Sequence, residues 1–264
     1  MLKHCVLSVD YSQEWDKTLV HLPVLITWLK IERLTLVHVV ETHKRRHIED
    51  SDAAVSNRLT KLAEKLQSER NVTVDHQLRH GFPASELAAV ARKVEADAII
   101  ALNRSHSAAR ANVFGSVITN LTRVARVPLI VIPSDAKAID QDSPVVLATD
   151  GSDSGRNAQL AFEDMMQTAS RGVVLWVKAD DDDEHDEERV QPILKHFETN
   201  HSKVEPRRLI ANDPPERITS VAEEVEAGLI IIGKRGNTPL TELVTGSTAE
   251  AVARTSKVPV LLVP

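Results

Sequence analysis

Residues 229–264 read LIIIGKRGNTPLTELVTGSTAEAVARTSKVPVLLVP, and this stretch decides the fold. It opens with a short apolar run, continues through a loop and a helical pattern, and closes with a second apolar run at Val260–Val263. Short apolar runs without polar alternation are typical of strands in a buried parallel sheet. Three glycines punctuate the stretch at Gly233, Gly236 and Gly246, with the spacing G-x2-G-x9-G-S.

The positions of these glycines predict a phosphate-binding loop. Gly233 ends the first apolar strand, at the edge where open α/β sheets bind ligands. Glycines there allow sharp turns and let an anion approach the main chain. Gly246 and Ser247 open a helix, whose first N–H groups and positive dipole end attract anions. The chain contains neither GxxxxGK[ST] nor GxGxxG, so this is neither a Walker loop nor the dinucleotide fingerprint.

The chain is an internal repeat of a unit of about 130 residues. ARKVEADAIIALNR at 91–104 aligns without a gap with AEEVEAGLIIIGKR at 222–235, and FGSVITNLTRVARVPLIVIP at 114–133 aligns with TGSTAEAVARTSKVPVLLVP at 245–264. Each unit alternates strand and helix patterns, which favours a parallel α/β sheet. Pro23 lies inside the first helical pattern and predicts a kink or a break there.

The G-x2-G-x9-G-S spacing between two strands resembles the nucleotide-binding signature G-x2-G-x9-G-[ST] of the universal stress protein family. The resemblance covers essentially all of the chain, although the complete signature lies only in the second unit. It implies an α/β fold of two flavodoxin-like doubly wound domains, each with a five-stranded parallel sheet in the order 3-2-1-4-5. It also implies that the closing strands Leu129–Ile132 and Val260–Val263 pair edge to edge, making the chain a built-in pseudo-dimer.

The domain boundaries follow from the repeat. Residues 1–133 form the first unit and residues 144–264 the second. Residues 134–143 are polar, lack an apolar period and are interpreted as a linker.

Composition excludes several classes of protein. The single cysteine, Cys5, rules out an intrachain disulfide framework and fits a reducing compartment. No apolar run reaches the ~18 residues of a membrane span, and the N-terminus lacks the long apolar core of a signal peptide. Neither half has the clustered basic face of a nucleic-acid binder. We therefore expect a cytoplasmic protein with no nucleic-acid or membrane partner.

The nucleotide-binding set is predicted in the second unit. Asp150 closes its first strand at the switch point of the sheet, where a carboxylate can accept hydrogen bonds from ribose hydroxyls or an adenine amino group. The resemblance implies that this aspartate contacts the nucleotide and that the backbone of Val177 reads the adenine edge. The full set is Ala148, Thr149, Asp150, Val177, Gly233, Lys234, Arg235, Gly236, Gly246, Ser247 and Thr248. The expected ligand is ATP, or ADP or AMP, with Mg²⁺ as a candidate companion.

Some assignments in this set have alternatives. Asp150 could instead be an N-cap or turn aspartate for the next helix, and Lys234 and Arg235 could either neutralise phosphate or face solvent. Trp176 could pack near the base or in the core.

The first unit departs from the signature. Leu102 stands at the position of Gly233 and Ser105 at that of Gly236, while Gly115 and Ser116 keep the last pair and Asp10 keeps the carboxylate. Side chains with a Cβ disfavour positive φ and obstruct an anion. We therefore expect one nucleotide site per chain, in the second unit.

Two further features are candidate metal sites. The acidic run 180–188, DDDDEHDEE, is either a solvated mobile loop or a means of recruiting a divalent ion. His43 and His47 are four residues apart, as in a zinc pair on a helix, but no third ligand at suitable spacing is evident.

The expected function is an ATP-binding stress-response protein that acts as a regulatory or scaffold module. It would form a homodimer of the tandem chain and bind a protein partner that the sequence does not identify. Two alternatives stay open: a slow ATPase, for which no base or water-positioning residue is assigned, and a ligand- or metal-sensing scaffold centred on the first unit.

Overall fold

The computed structural model describes residues 2–41, 51–104, 116–178, 184–235 and 246–264. Its strands are β1 His4–Ser8, β2 Arg33–Val40, β3 Thr73–His80, β4 Ala98–Asn103, β5 Leu129–Pro133, β6 Val145–Ala148, β7 Gly172–Lys178, β8 Val204–Ile210, β9 Leu229–Gly233 and β10 Val260–Val263. Its α-helices are α1 Trp15–Leu19, α2 Leu22–Leu29, α3 Asp52–Arg70, α4 Pro83–Lys93, α5 Ser116–Val124, α6 Arg156–Met165, α7 Glu184–Asn200, α8 Pro214–Glu224 and α9 Ser247–Thr255. A 3₁₀ turn, Asp153–Gly155, precedes α6.

Strand order confirms the α/β class and the doubly wound topology. The sheet runs β3-β2-β1-β4-β5-β10-β9-β6-β7-β8, so each unit has its own strands in the order 3-2-1-4-5. The two halves do not form two separate sheets, however. They join as one ten-stranded sheet, because β5 and β10 pair antiparallel with Val131 opposite Val260 and Leu129 opposite Leu262.

The central strands are apolar because both of their faces are covered. Every residue of β4, β5, β6 and β10 is buried. One core layer includes Trp28, Phe162 and Phe197 from α2, α6 and α7. The layer on the opposite face includes residues of α4, α5, α8 and α9. Alternation of side chains along each strand divides the apolar residues between these layers.

Backbone details repeat between the halves. Two residues after the end of α4 and of α8, a glutamate lies in the left-handed region: Glu95 at φ 51° and Glu226 at φ 55°. The next residue in each half, Ala96 or Ala227, donates its N–H five residues back at 2.8 Å. The expected break at Pro23 is confirmed, because α1 ends at Leu19 and proline occupies the first turn of α2. Proline is tolerated there because the first-turn N–H has no helical acceptor.

Residues 134–144, between β5 and β6, contain no helix or strand. This segment is nonetheless attached to the core, because the Ile139 side chain is only 9% exposed.

Candidate functional site

The centre of the second unit is the carboxyl end of β6, which lies between β7 and β9. Ala148, the last residue of β6, is opposite Leu175 on one side and Ile232 on the other. Thr149 N–H then donates to Leu175 O at 3.0 Å, and the chain leaves the sheet. Strands on either side lead to helices on opposite faces, so a cleft opens at this point. The structure thus brings Ala148, Thr149 and Asp150 to the predicted switch point.

Asp150 organises the turn that follows β6. Its Oδ1 accepts hydrogen bonds from Ser152 N–H at 3.0 Å and from Ser152 Oγ at 2.6 Å. Ser152 Oγ in turn accepts from Gly155 N–H at 3.2 Å, so the serine caps the 3₁₀ turn before α6. The N-cap form of the alternative is therefore wrong, since Ser152 caps the 3₁₀ turn, but Asp150 is the turn aspartate that the same alternative allowed. The carboxylate is fixed by a tight local network at the mouth of the cleft.

Gly151 is required by this turn for two separate reasons. Its φ is +71°, in the left-handed region that L side chains disfavour. A Cβ added there would lie 2.9 Å from Val190 Cγ2 and 3.1 Å from the Arg189 carbonyl carbon. Helix α7 therefore packs directly on the Asp150 turn, and it can do so only because residue 151 has no side chain.

Gly233 is required by packing between two loops. Its φ is not positive, and an added Cβ would lie 3.1 Å from both Arg235 O and Gly155 Cα. Ser154 Oγ also donates to Arg235 O at 3.4 Å. The loop after β9 thus rests on the loop after β6. The expectation that Gly233 turns the chain sharply is corrected, because its lack of a Cβ serves this close approach.

Lys234 does not extend into the cleft, which corrects its assignment to the phosphate set. Its side chain is buried, and Nζ donates to Ala125 O in the first unit at 2.8 Å. Its backbone N–H donates to Val263 O and its carbonyl accepts from Gly246 N–H. The solvent-facing alternative is also wrong. Burial, with a smaller contribution from Arg235, lowers the pKa of Lys234 to about 8.

Helix α9 begins beside the end of β9. Gly246 N–H donates to Lys234 O at 2.8 Å, which ties the start of the helix to the loop after the strand. Gly246 is the N-cap residue, with φ −58° and ψ 140°, and no side chain caps the helix. Ser247 is exposed and Thr248 half-buried in the first turn. Gly236 lies outside the described residues.

Trp176 and Val177 lie near the end of β7 and point to opposite faces of the sheet. Trp176 is buried in the core, with the Arg208 guanidinium carbon 5.1 Å from its ring centroid, so the core alternative is confirmed. Backbone groups in a strand alternate between the two neighbouring strands. Leu175 O accepts from Thr149, on the β6 side, and Lys178 O accepts from Ala211, on the β8 side. By this alternation the N–H and C=O of Val177 point to the β6 side. They lie beyond Ala148, the last residue of β6, and so have no partner strand there among the described residues.

The first unit has the same aspartate turn, but larger side chains surround it. Ser12 N–H donates to Asp10 Oδ1 at 2.8 Å, as Ser152 does to Asp150. Asp10 Oδ2 also lies 3.4 Å from Nε of Arg104. Tyr11 occupies the position of Gly151, at φ 55°. The Arg58 guanidinium carbon lies 4.7 Å from the Tyr11 ring centroid, and the His38 ring lies 5.0 Å away.

Of the two candidate metal sites, His43, His47 and residues 180–183 of the acidic run lie outside the described residues. Ser105 and Gly115, from the signature positions of the first unit, also lie outside them. The rest of that run, 184–188, forms the first turns of α7. Expecting a loop through Glu188 was therefore wrong, and Glu187 pairs with Arg208.

Three residues beside the cleft were not predicted from the sequence: Gly151, Ser152 and Gly155. Their signal was available in the comparison of DGSDSG at 150–155 with DYSQEW at 10–15. Gly151, on which α7 packs, aligns with Tyr11 of the first unit, and Gly155, which the β9 loop approaches, aligns with Trp15.

Within the described part of the chain, no helix combines the length and apolar character needed to cross a membrane.

Comparisons with known proteins support the repeat and the fold. The universal stress protein family profile matches twice, at residues 1–133 and 143–264. A universal stress protein of Mycobacterium tuberculosis is 26% identical over 260 residues, covering 87% of this chain and 86% of the relative. One of Mycolicibacterium smegmatis is 26% identical over 263 residues, covering 93% and 86%. The crystal structure of a universal stress protein from Archaeoglobus fulgidus has a TM-score of 0.79 at 20% identity, covering 100% of this chain and 98% of that one. The chain therefore belongs to the universal stress protein family as two tandem copies of its domain, which makes it a stress-response protein.

Proposed function

We propose that the second unit binds one adenine nucleotide, ATP or its products ADP and AMP, in the cleft after β6. The observation that carries the proposal is the start of α9. A nine-residue helix begins without a side-chain cap and is bonded at Gly246 to the loop that follows β9. Unsatisfied N–H groups at a helix start attract phosphate oxygens, and the helix dipole favours negative charge.

The phosphates would lie against the first turn of α9. Ser247 and Thr248 would offer hydroxyls and backbone N–H groups, and Arg235 and Gly236 would complete the loop. Lys234 is excluded from this set because its ammonium bonds to Ala125 O. Carboxylates near a triphosphate repel it unless a divalent cation intervenes, so Mg²⁺ remains a candidate companion.

The base and ribose would lie between Asp150 and the end of β7. The backbone N–H and C=O of Val177 point over the end of β6, where an adenine edge offers a complementary donor and acceptor. The Asp150 turn lies next to the β9 loop, since a Cβ on Gly233 would be 3.1 Å from Gly155 Cα and one on Gly155 would be 3.5 Å from Asp150 Oδ1. One ligand can therefore contact the carboxylate and the loop together.

The first unit would not bind nucleotide in the same way. Asp10 has Arg104 as an ion-pair partner, Tyr11 stands in place of Gly151, and Leu102 stands in place of Gly233. The proposal is therefore one nucleotide per chain.

The test is mass spectrometry of the nucleotide released on denaturing the freshly purified protein, with titration of ATP and Mg²⁺ into nucleotide-free protein. We expect about one adenine nucleotide per chain. Gly246→Val should abolish binding without unfolding the protein, because φ −58° and ψ 140° suit any L residue. Two nucleotides per chain would contradict the asymmetry, and none, before or after adding ATP, would contradict the site.

The role of the bound nucleotide is regulatory or scaffolding in this proposal, and single-turnover product analysis would detect slow hydrolysis. The cytoplasmic location and the unidentified protein partner stay predictions of the sequence. The homodimer also stays a prediction, but β5 and β10 already pair within the chain. A second copy would need another surface, such as the outer edges at β3 and β8.

A further inference from the structure

Three potential metal ligands converge at the end of the second unit remote from the cleft. Glu163 lies near the end of α6, His196 near the end of α7, and His201 just beyond α7. His196 Nε2 lies 2.8 Å from Glu163 Oε1. One ligand atom from each of the three residues lies within 4.8 Å of the other two.

The three side chains stand on a rigid base. Phe162 and Phe197, each adjacent in sequence to a ligand, are 0% and 1% exposed and pack edge to face with centroids 5.3 Å apart. His201 is fixed by its backbone, because its N–H donates to Phe197 O at 3.0 Å and its carbonyl accepts from Val204 N–H at 2.9 Å. The His201 ring lies 5.4 Å from that of Phe197 and 5.9 Å from that of His196.

We propose that Glu163, His196 and His201 form a zinc site. Two imidazoles and one carboxylate suit a borderline ion such as Zn²⁺, whereas Mg²⁺ prefers oxygen ligands alone. Ligands about 2.0–2.2 Å from zinc in a tetrahedron are roughly 3.3–3.6 Å apart. Rotations of the exposed His196 and the half-buried Glu163 and His201 would bring the three ligand atoms to this spacing, which includes lengthening the 2.8 Å contact between Glu163 and His196. The fourth position would be open to water.

Asn200 shows how the neighbouring hydrogen bonds would adjust. Its Nδ2 lies 3.1 Å from His196 Nδ1 and 3.0 Å from His196 O. If His196 binds zinc through Nε2, its proton moves to Nδ1 and requires an acceptor. Rotation of the Asn200 amide would present that acceptor, in the way that ligating histidines usually have their second nitrogen bonded.

The site is separate from the proposed nucleotide cleft. Helix α6 starts after Gly155, and α7 packs on the Asp150 turn near Val190, so both helices run away from the cleft. Zinc would join their far ends. Because the ligands are not cleft residues, the zinc proposal can fail or succeed independently of the nucleotide proposal.

The experiment is Zn²⁺ titration of full-length, tag-free protein in competition with a chromophoric chelator. Wild type should hold one tightly bound Zn²⁺ that His201→Ala and Glu163→Gln each weaken by about a hundredfold or more, since ligand loss should exceed the 10–100-fold effect of outer partners. The matched control is His80→Ala, which removes another exposed histidine paired to a carboxylate, Asp52 at 3.2 Å. This control should bind zinc as wild type does.

Thermal unfolding gives a second measurement. Zn²⁺ should raise the Tm of wild type and of His80→Ala, but not of His201→Ala, because only a ligand that binds the folded state stabilises it. Each variant's own Tm without metal is the reference for its shift, since His201→Ala also removes a ring that packs on Phe197. Mg²⁺ should raise the Tm of none of them. Equal zinc affinity and stoichiometry in wild type and His201→Ala would overturn the proposal, as would absence of binding at micromolar Zn²⁺.

Discussion

The two switch points of this chain have the same backbone and different contents. After β1 and after β6, an aspartate Oδ1 accepts from the backbone N–H two residues later, at 2.8 Å in the first unit and 3.0 Å in the second. In the second unit glycine follows the aspartate, and α7 packs on it. In the first unit Tyr11 follows, and its ring lies between Arg58 and His38.

The two units therefore share the backbone of the aspartate turn and differ in the residues that surround it. The aspartate turn depends on backbone and carboxylate atoms, so it tolerates a change at its second residue. In the second unit, Gly151 at this position allows α7 to pack on the turn. In the first unit, the Tyr11 ring occupies the space beside the turn. Arg104, which pairs with Asp10, completes the change in the first unit.

The largest effect should come from making the second switch point resemble the first. Gly151→Tyr puts a side chain at φ +71° and a Cβ within 3.1 Å of the α7 backbone. The left-handed conformation costs about 1–2 kcal/mol and overpacking about 1–3 kcal/mol. We expect the free energy of unfolding to fall by about 2–5 kcal/mol in urea titrations, with loss of nucleotide binding.

The reverse change is its control. Tyr11→Gly removes a ring from the first unit but should leave nucleotide binding to the second unit at about one per chain. Gain of a second nucleotide by this single change would show that Tyr11 alone closes the first cleft. Retention of nucleotide by Gly151→Tyr would show that α7 can move aside.

A smaller and more specific effect on nucleotide affinity is expected from replacing Asp150, whose equivalent in the first unit is Asp10. Asp150→Asn keeps an oxygen for the bonds from Ser152 but replaces the other oxygen with an amide donor, so a nucleotide hydroxyl or amino group meets a donor instead of an acceptor. Leaving such a group unmatched costs about 1–3 kcal/mol, or roughly five- to 150-fold in affinity. Asp10→Asn should leave the Kd unchanged in isothermal titration. Equal losses in both variants would place the effect on folding rather than on the ligand.

Most of the fold could be predicted from the sequence because it depends on local patterns. The alternation of strands and helices and the break at Pro23 can each be seen within a short window, and the repeat is seen when two such windows are aligned. The pairing of β5 with β10 was different. It followed from the family resemblance, because the short apolar run at Val260–Val263 does not indicate which strand it meets.

The site could be predicted in outline only. Asp150 and Gly233 lie where their strands end, which sequence order determines. The direction of Lys234 depends on packing between the units, since its acceptor at Ala125 is 109 residues away. The contact of Glu163 with His196 and His201 likewise depends on how α6 lies against α7, and no spacing along the chain encodes it.

Lys234 distinguishes the units at their junction, because the aligned residue in the first unit is the neutral Asn103. Burial lowers the pKa of Lys234 to about 8 in the folded protein, below its usual 10.5. The cost of the buried ammonium is present below about pH 8, and it is relieved as pH rises towards 10.5 because the folded state releases its proton first. Over that window wild type should gain on the order of 1–3 kcal/mol of unfolding free energy relative to Lys234→Met.

The measurement for Lys234 is urea unfolding of both proteins at several pH values from neutral to about 10. The difference between them isolates this lysine, since the other titrating groups are common to both. A difference that stays constant with pH would mean that the Lys234 ammonium keeps an ordinary pKa despite its contact with Ala125 O.

The smallest effect should come from Tyr11→Phe, which tests how the first switch point is filled. The Tyr11 hydroxyl is buried without a hydrogen-bond partner in the described structure, whereas its ring carries the contacts to Arg58 and His38. Removing an unsatisfied hydroxyl should leave the free energy of unfolding unchanged or raise it by up to about 1 kcal/mol, while the phenyl ring keeps the cation–π contact. A loss of more than about 1 kcal/mol would show that the hydroxyl has a partner in solution. The first cleft would then contain a polar ligand or ordered water, and the contrast between the two units would be one of ligand identity instead of occupancy.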